Sequence, residues 1–113
     1  MKTNNHEVIF VIVNSGYAEE AMQVAREQGV RGGTILGARG VVNEDAAAFF
    51  GITLHADKEI LMMVVDKEIR DKVLNALYKE ISLGKKSQVI VFSLPVSDLD
   101  GLAMPVEPKA QEE

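Results

Sequence analysis

The sequence predicts an α+β fold, a four-stranded antiparallel sheet with two helices on one face. Three observations predict it. Short runs of β-branched and aromatic residues alternate with longer amphipathic stretches. Glycines stop those stretches at Gly29 and Gly84. The order β-α-β stands on both sides of a central loop, in a chain of 113 residues that suits one domain over 1–113.

The first strand is Val8-Ile9-Phe10-Val11-Ile12-Val13, apolar throughout and short enough for a strand buried on both faces. Asn14-Ser15-Gly16 ends it, and Ser15 is the expected N-cap of the first helix. Glu19 and Glu20 suit the positive end of that helix. Ala18, Ala21, Met22 and Ala25 fall on one stripe, and Gly29 takes the C′ position. Thr34 to Ala38 forms the second strand, where Gly37 predicts a bulge or a close approach. Val41 to Gly51 reads as a loop, with Ala46 to Phe50 able to form a short helical piece.

Ile60 to Val65 is the third strand, with a start near Ile52 also open. Asp66 is expected to cap the second helix. Ile69, Val73, Ala76, Leu77 and Ile81 form its buried stripe, with Lys67, Glu68, Arg70 and Lys79 on the wet side. Val89 to Phe92 is the fourth strand, closed by Pro95. This is the split βαβ, or ferredoxin-like, pattern. The core spans about 7–96, and the charged, proline-containing tail of about 104–113 is expected to fray.

The chain is 47% hydrophobic and 26% charged, with a net charge of −5. That balance argues against nucleic acid and against anionic lipid as partners. With 0 cysteines, disulfides, thiol catalysis and cysteine metal sites are excluded. No apolar run approaches a membrane span, and the polar start lacks a secretory h-region, so a cytoplasmic home without membrane insertion is expected. No nucleophile–base spacing supports an enzyme, and His6 and His55 do not compose a metal site.

Strands one and three are apolar on both faces, while two helices cover only one. Leaving such side chains wet forgoes roughly 1.5–3 kcal/mol each. A homo-oligomer is therefore expected.

Three stretches carry a resemblance. They are Gly29-Val30-Arg31-Gly32-Gly33-Thr34 leading into Arg39-Gly40, Val64-Val65-Asp66, and Gly84-Lys85 followed by Val91-Phe92-Ser93-Leu94-Pro95-Val96. With them the chain resembles the PII signal-transduction family from Val8 to roughly Val96, as a divergent member with a short T-loop. The resemblance implies a homotrimer with its sheets around the threefold axis. It implies an adenine nucleotide (ADP, AMP or ATP) as effector in the subunit clefts and, by the family's name, a part in nitrogen regulation. Target transporters, enzymes or transcription factors would be regulated through the loop. Carried over residue by residue, Gly32, Gly33 and Thr34 match the adenine side on strand two, Val64 matches the base pocket on strand three, and Gly40 matches the loop mouth. Gly84 to Gln88 stands at the phosphate side.

The chain departs from the family pattern at several points. Ser87-Gln88-Val89-Ile90 replaces the Gly-Asp-Gly-Lys of the phosphate loop. Gly101 and Ala103 stand where phosphate-clamping arginines are usual, and the short loop has no tyrosine to modify. Arg31, Arg39, Lys85 and Lys86 are left to face an anion, which shifts the expected ligand from ATP toward ADP, AMP or another adenylyl compound. The same basic residues also suit solvated helix ends. Phe49 and Phe50 read either as an anchor of the 41–51 loop or as a docking knob for a target protein. The alternative to a nucleotide sensor is a ferredoxin-like trimer of the CutA metal-tolerance type, or a structural module binding no nucleotide.

Overall fold

The computed structural model describes residues 1–41, 57–82 and 89–101. The elements are β1 (His6–Asn14), α1 (Ala18–Glu27), β2 (Thr34–Arg39), β3 (Asp57–Asp66), α2 (Lys67–Leu77) and β4 (Ile90–Pro95). A π-helical turn at Tyr78–Ser82 continues α2. The strands pair antiparallel in the order β2-β3-β1-β4, as the sequence predicts. The 42–51 part of the loop with Phe49 and Phe50, the early start of strand three near Ile52, His55, the Gly84–Lys86 stretch and the tail beyond 101 lie outside the described residues. Among the described residues no helix is long and apolar enough to cross a membrane.

Side chains alternate across a strand, so β1 and β3 each present two apolar rows. Ile9, Val11 and Val13 of β1 and Leu61, Met63 and Val65 of β3 face the helices and are buried. They form one core with Ala18, Ala21, Met22, Val24 and Ala25 of α1, and with Val73, Leu77 and Ile81 from α2 and its π turn. The other row is Val8, Phe10 and Ile12 opposite Val64, Met62 and Ile60. β4 adds Leu94, Phe92 and Ile90 in register beside it, and β2 adds Leu36. Phe10 and Phe92 stack at 5.2 Å between centroids. Among the described residues no helix covers this second face, where Ile90 is 57% exposed, Leu94 50% and Phe92 39%.

Four local expectations are corrected. Ser15 does not cap α1: Tyr17 is the N-cap residue and makes no side-chain cap bond. Glu59 reaches across from β3 instead, its Oε1 accepting from Gly16 N at 2.9 Å and Ala18 N at 3.1 Å. A carboxylate there also meets the positive end of the helix. Asp66 is the N-cap residue of α2, but its side chain makes no cap hydrogen bond. Gly37 is neither bulged nor crowded. It pairs in register with Glu59, and a Cβ there would meet nothing within 4 Å.

Arg70 is the fourth correction. It is half-buried, because its Nη1 donates to Oε1 of Glu7 at 3.0 Å. Glu7 is 6% exposed on the helix side of β1, a row otherwise apolar. A carboxylate in that place needs a partner from the helix above, and Arg70 lies one turn into α2 to supply it. Asp71 adds a second carboxylate to the guanidinium, its Oδ1 2.8 Å from Nε.

Replacing Arg70 by Met strands the Glu7 carboxylate, so urea unfolding is expected to show a loss of about 2–4 kcal/mol. The double variant Glu7→Gln, Arg70→Met should recover much of it. Glu59→Ala removes the cap of α1 and is expected to cost about 1 kcal/mol by the same measurement.

Candidate functional site

The two walls of the site come from chain segments held in place by ordinary packing. α1 ends in a Schellman motif: Gly29 N donates to Arg26 O at 3.0 Å and Val30 N to Ala25 O at 3.2 Å. Gly29 carries the positive φ, +106°, that this turn needs. Val30 then plugs into the core, 5% exposed, and anchors the segment that follows. Gly33 lies against β3 so closely that a Cβ would meet Leu61 Cδ1 and Met63 Cγ at 2.9 Å and the Met62 carbonyl at 3.0 Å. The crowding expected at Gly37 belongs to Gly33.

β2 begins at Thr34, opposite Met62. β3 runs on to Asp66, so its last four residues have β1 on one side and no strand on the other. Next to that free edge opens a cleft of about 390 Å³. One wall is Gly29 to Thr34, the other Met62 and Val64 to Asp66, with Ile69 of α2 at the end. The Met62 carbonyl faces Gly33, and alternation along a strand then sends the N–H and C=O of Val64 toward the same edge. Val64 therefore offers a paired donor and acceptor to a cleft that Val30, Met62 and Ile69 also line. Such a pair matches the edge of a flat heterocycle.

Two charged side chains line the cleft among the described residues, Arg31 and Asp66. Arg31 is exposed. Asp66 has withdrawn from the amides it was expected to cap, forgoing about 1 kcal/mol. Its Oδ1 lies 3.4 Å from Nε2 of His6, while Nδ1 of His6 is 2.8 Å from the Thr3 hydroxyl. The N-terminal segment is held at this end by Lys67 N donating to Asn5 O at 2.7 Å and by the Lys2–Asp98 bridge.

Of the site residues named from the sequence, Gly32, Gly33, Thr34 and Val64 line this one cleft. Arg39 and Gly40 do not. Arg39 pairs with Asp57 at the opposite end of β2, five steps or about 17 Å from Thr34. Gly84, Lys85 and Lys86 fall outside the described residues. Sequence reasoning assigned Met62 to the core, Ile69 to the helix stripe and Asp66 to a cap. The two-residue period from Val64 was the available signal for Met62 and Asp66.

No family model matches the sequence, and no curated protein matches it. Solved structures do. PII of Arabidopsis thaliana, crystallised with citrate, superposes with a TM-score of 0.63 at 23% identity, covering 83% of this chain and 79% of that one. A protein of Thermus thermophilus classed as PII-like signalling gives 0.60 at 18%, covering 86% and 94%. A protein of unknown function from Pediococcus pentosaceus gives 0.60 at 17%, covering 88% and 100%. The fold is thus the ferredoxin-like one of PII and PII-like proteins, and the resemblance carried by the glycine-rich stretch extends to the backbone of the whole sheet.

Gly33→Ala tests how the cleft is built. A Cβ against a backbone carbonyl cannot be relieved by rotating a side chain, so β2 must move off β3. Overpacking of this kind is expected to lower stability by about 1–3 kcal/mol in denaturant titration. Gly37→Ala, in open space, should be close to neutral.

Proposed function

We propose that this chain is a single-domain, PII-like regulatory protein, without catalytic activity, that assembles as a homotrimer and binds an adenine nucleotide in a cleft completed by a second subunit. The observation that carries the reading is the cleft at the free edge of β3, which Val64 lines together with Val30, Met62, Ile69 and the Gly32-Gly33-Thr34 wall. An adenine ring requires such a donor–acceptor pair and an apolar surface to lie on. The likeness of fold to PII proteins supports a regulatory role, and the citrate-bound Arabidopsis structure supports a small-molecule effector.

The trimer is supported by the second face of the sheet. Phe10, Ile12, Ile60, Met62, Ile90, Phe92 and Leu94 make a continuous apolar surface across three strands. Covering each exposed member returns about 1 kcal/mol. Assembly also bears on the anion. Arg39 and Gly40 lie too far from Thr34 in one chain to share its ligand. A neighbouring subunit's Arg39, Lys85 and Lys86 are the groups we assign to the phosphate, with Gly84 and Gly40 as its backbone contacts. The absence of a Gly-Asp-Gly-Lys loop favours ADP or AMP over ATP. Occupancy would reach a target protein through the 41–51 loop with Phe49 and Phe50, provided the ligand prefers one loop conformation.

Light scattering at micromolar concentration is expected to give three times the chain mass, and Phe92→Glu to lower it. A monomeric wild type would sink the assembly. Calorimetric titration with ATP, ADP and AMP, with and without magnesium, is expected to show binding of at least one. A confirmed trimer that binds none would favour the CutA-type or structural reading. Arg39→Ala and Lys85→Ala should each weaken binding by on the order of tenfold. If neither does, the phosphate lies elsewhere.

A further inference from the structure

Resting on the reading of the cleft as an adenine site, we propose that Asp66 selects the base. Its carboxylate accepts from the exocyclic amino group of a 6-aminopurine and turns away a 6-oxopurine. Asp66 continues the row of Met62 and Val64 along the free edge of β3. It is the one carboxylate lining the cleft among the described residues. Two residues along a strand is about 7 Å, within reach of a substituent on a ring held by the Val64 backbone.

The carboxylate is kept available for this. An aspartate at the N-cap ordinarily turns onto the first-turn amides. Asp66 does not, and its side chain is 57% exposed with Oδ1 at 3.4 Å from His6 Nε2. His6 is oriented in turn. Thr3 Oγ1 accepts from the Asn5 N–H at 3.1 Å and lies 2.8 Å from Nδ1, which fixes the ring. The other ring nitrogen, Nε2, faces Asp66. That buried nitrogen has no hydrogen-bond partner, so only charge and dipole hold the carboxylate there, and its lone pairs remain open to the cleft. His6 is a positioning residue in this arrangement.

The discrimination follows from the inventory of donors and acceptors. An ionised carboxylate only accepts. An amino group meets it with a hydrogen, whereas a carbonyl oxygen meets it with a lone pair and leaves both groups unsatisfied.

Calorimetric titration with AMP and IMP, which carry amino and oxo groups at this ring position, tests it. The wild type is expected to bind AMP about tenfold or more tightly than IMP. In Asp66→Asn the side-chain amide can donate as well as accept, so the ratio should fall toward one. Asp66→Ser is the second variant: it supplies a good N-cap hydroxyl, secures the fold, and should lose the preference too. His6→Leu should lower the AMP-to-IMP ratio, a quantity that a loss of stability alone would not move. Equal binding of AMP and IMP by the wild type, or an unchanged ratio in both Asp66 variants, overturns the role of Asp66 and leaves the nucleotide site standing. Binding of neither nucleotide overturns both.

Discussion

The antiparallel pairing of β1 with β3 is the constraint on which the rest depends. His6 to Asn14 lie opposite Asp66 to Lys58 without a break. That register decides which apolar row faces the helices and which lies on the opposite face. Ile9, Val11, Leu61 and Met63 are sealed under α1 and α2. Val8, Phe10, Met62 and Val64 are equally apolar, yet among the described residues no helix packs over them, and they stay only partly buried. A slip of one residue would exchange the two rows and bring the Glu7 carboxylate out from under Arg70. The Glu7–Arg70 pair therefore specifies the register as well as joining strand to helix.

The cleft arises because β2 is shorter than its neighbour. The Schellman turn at Gly29 and the plug at Val30 take up the residues that might have extended the sheet. Strand pairing starts only at Thr34. Gly33 holds the approach tight, and the end of β3 keeps an open edge. A free edge is ordinarily a liability in a soluble sheet. Here it is recessed beside the Gly29–Thr34 segment and Ile69 of α2. The ends of the sheet are tied by polar groups of contrasting kinds. Glu59 serves α1 as a borrowed cap, while Asp66 leaves α2 without one.

Much of this was legible in the sequence, because its signals are local. The runs at Val8–Val13 and Ile60–Val65, the stripe at Ala18, Ala21, Met22 and Ala25, and the stop at Gly29 all report short-range geometry, and each element stands where they put it. The errors share one cause. Ser15, Asp66, Gly37 and Arg70 are read from their neighbours in the chain, whereas Glu59 takes the capping role expected of Ser15, Asp66 lies beside His6, Gly37 faces open space and Arg70 binds Glu7. Periodicity places a side chain on a face but does not tell what lies across from it.

The sequence by itself determined the α+β class, the order of the elements, the two-faced sheet and the glycine-rich wall of the cleft. These follow from propensity, period and the special backbone freedom of glycine, which act over a few residues. The tertiary structure alone decided that Gly33 rather than Gly37 is the crowded glycine. It decided that Val64 and Asp66 line one cleft with Thr34 and Met62. Each of those depends on where β2 begins against β3. That register is set by packing between residues far apart in the chain, such as Thr34 and Met62, a separation no local pattern encodes.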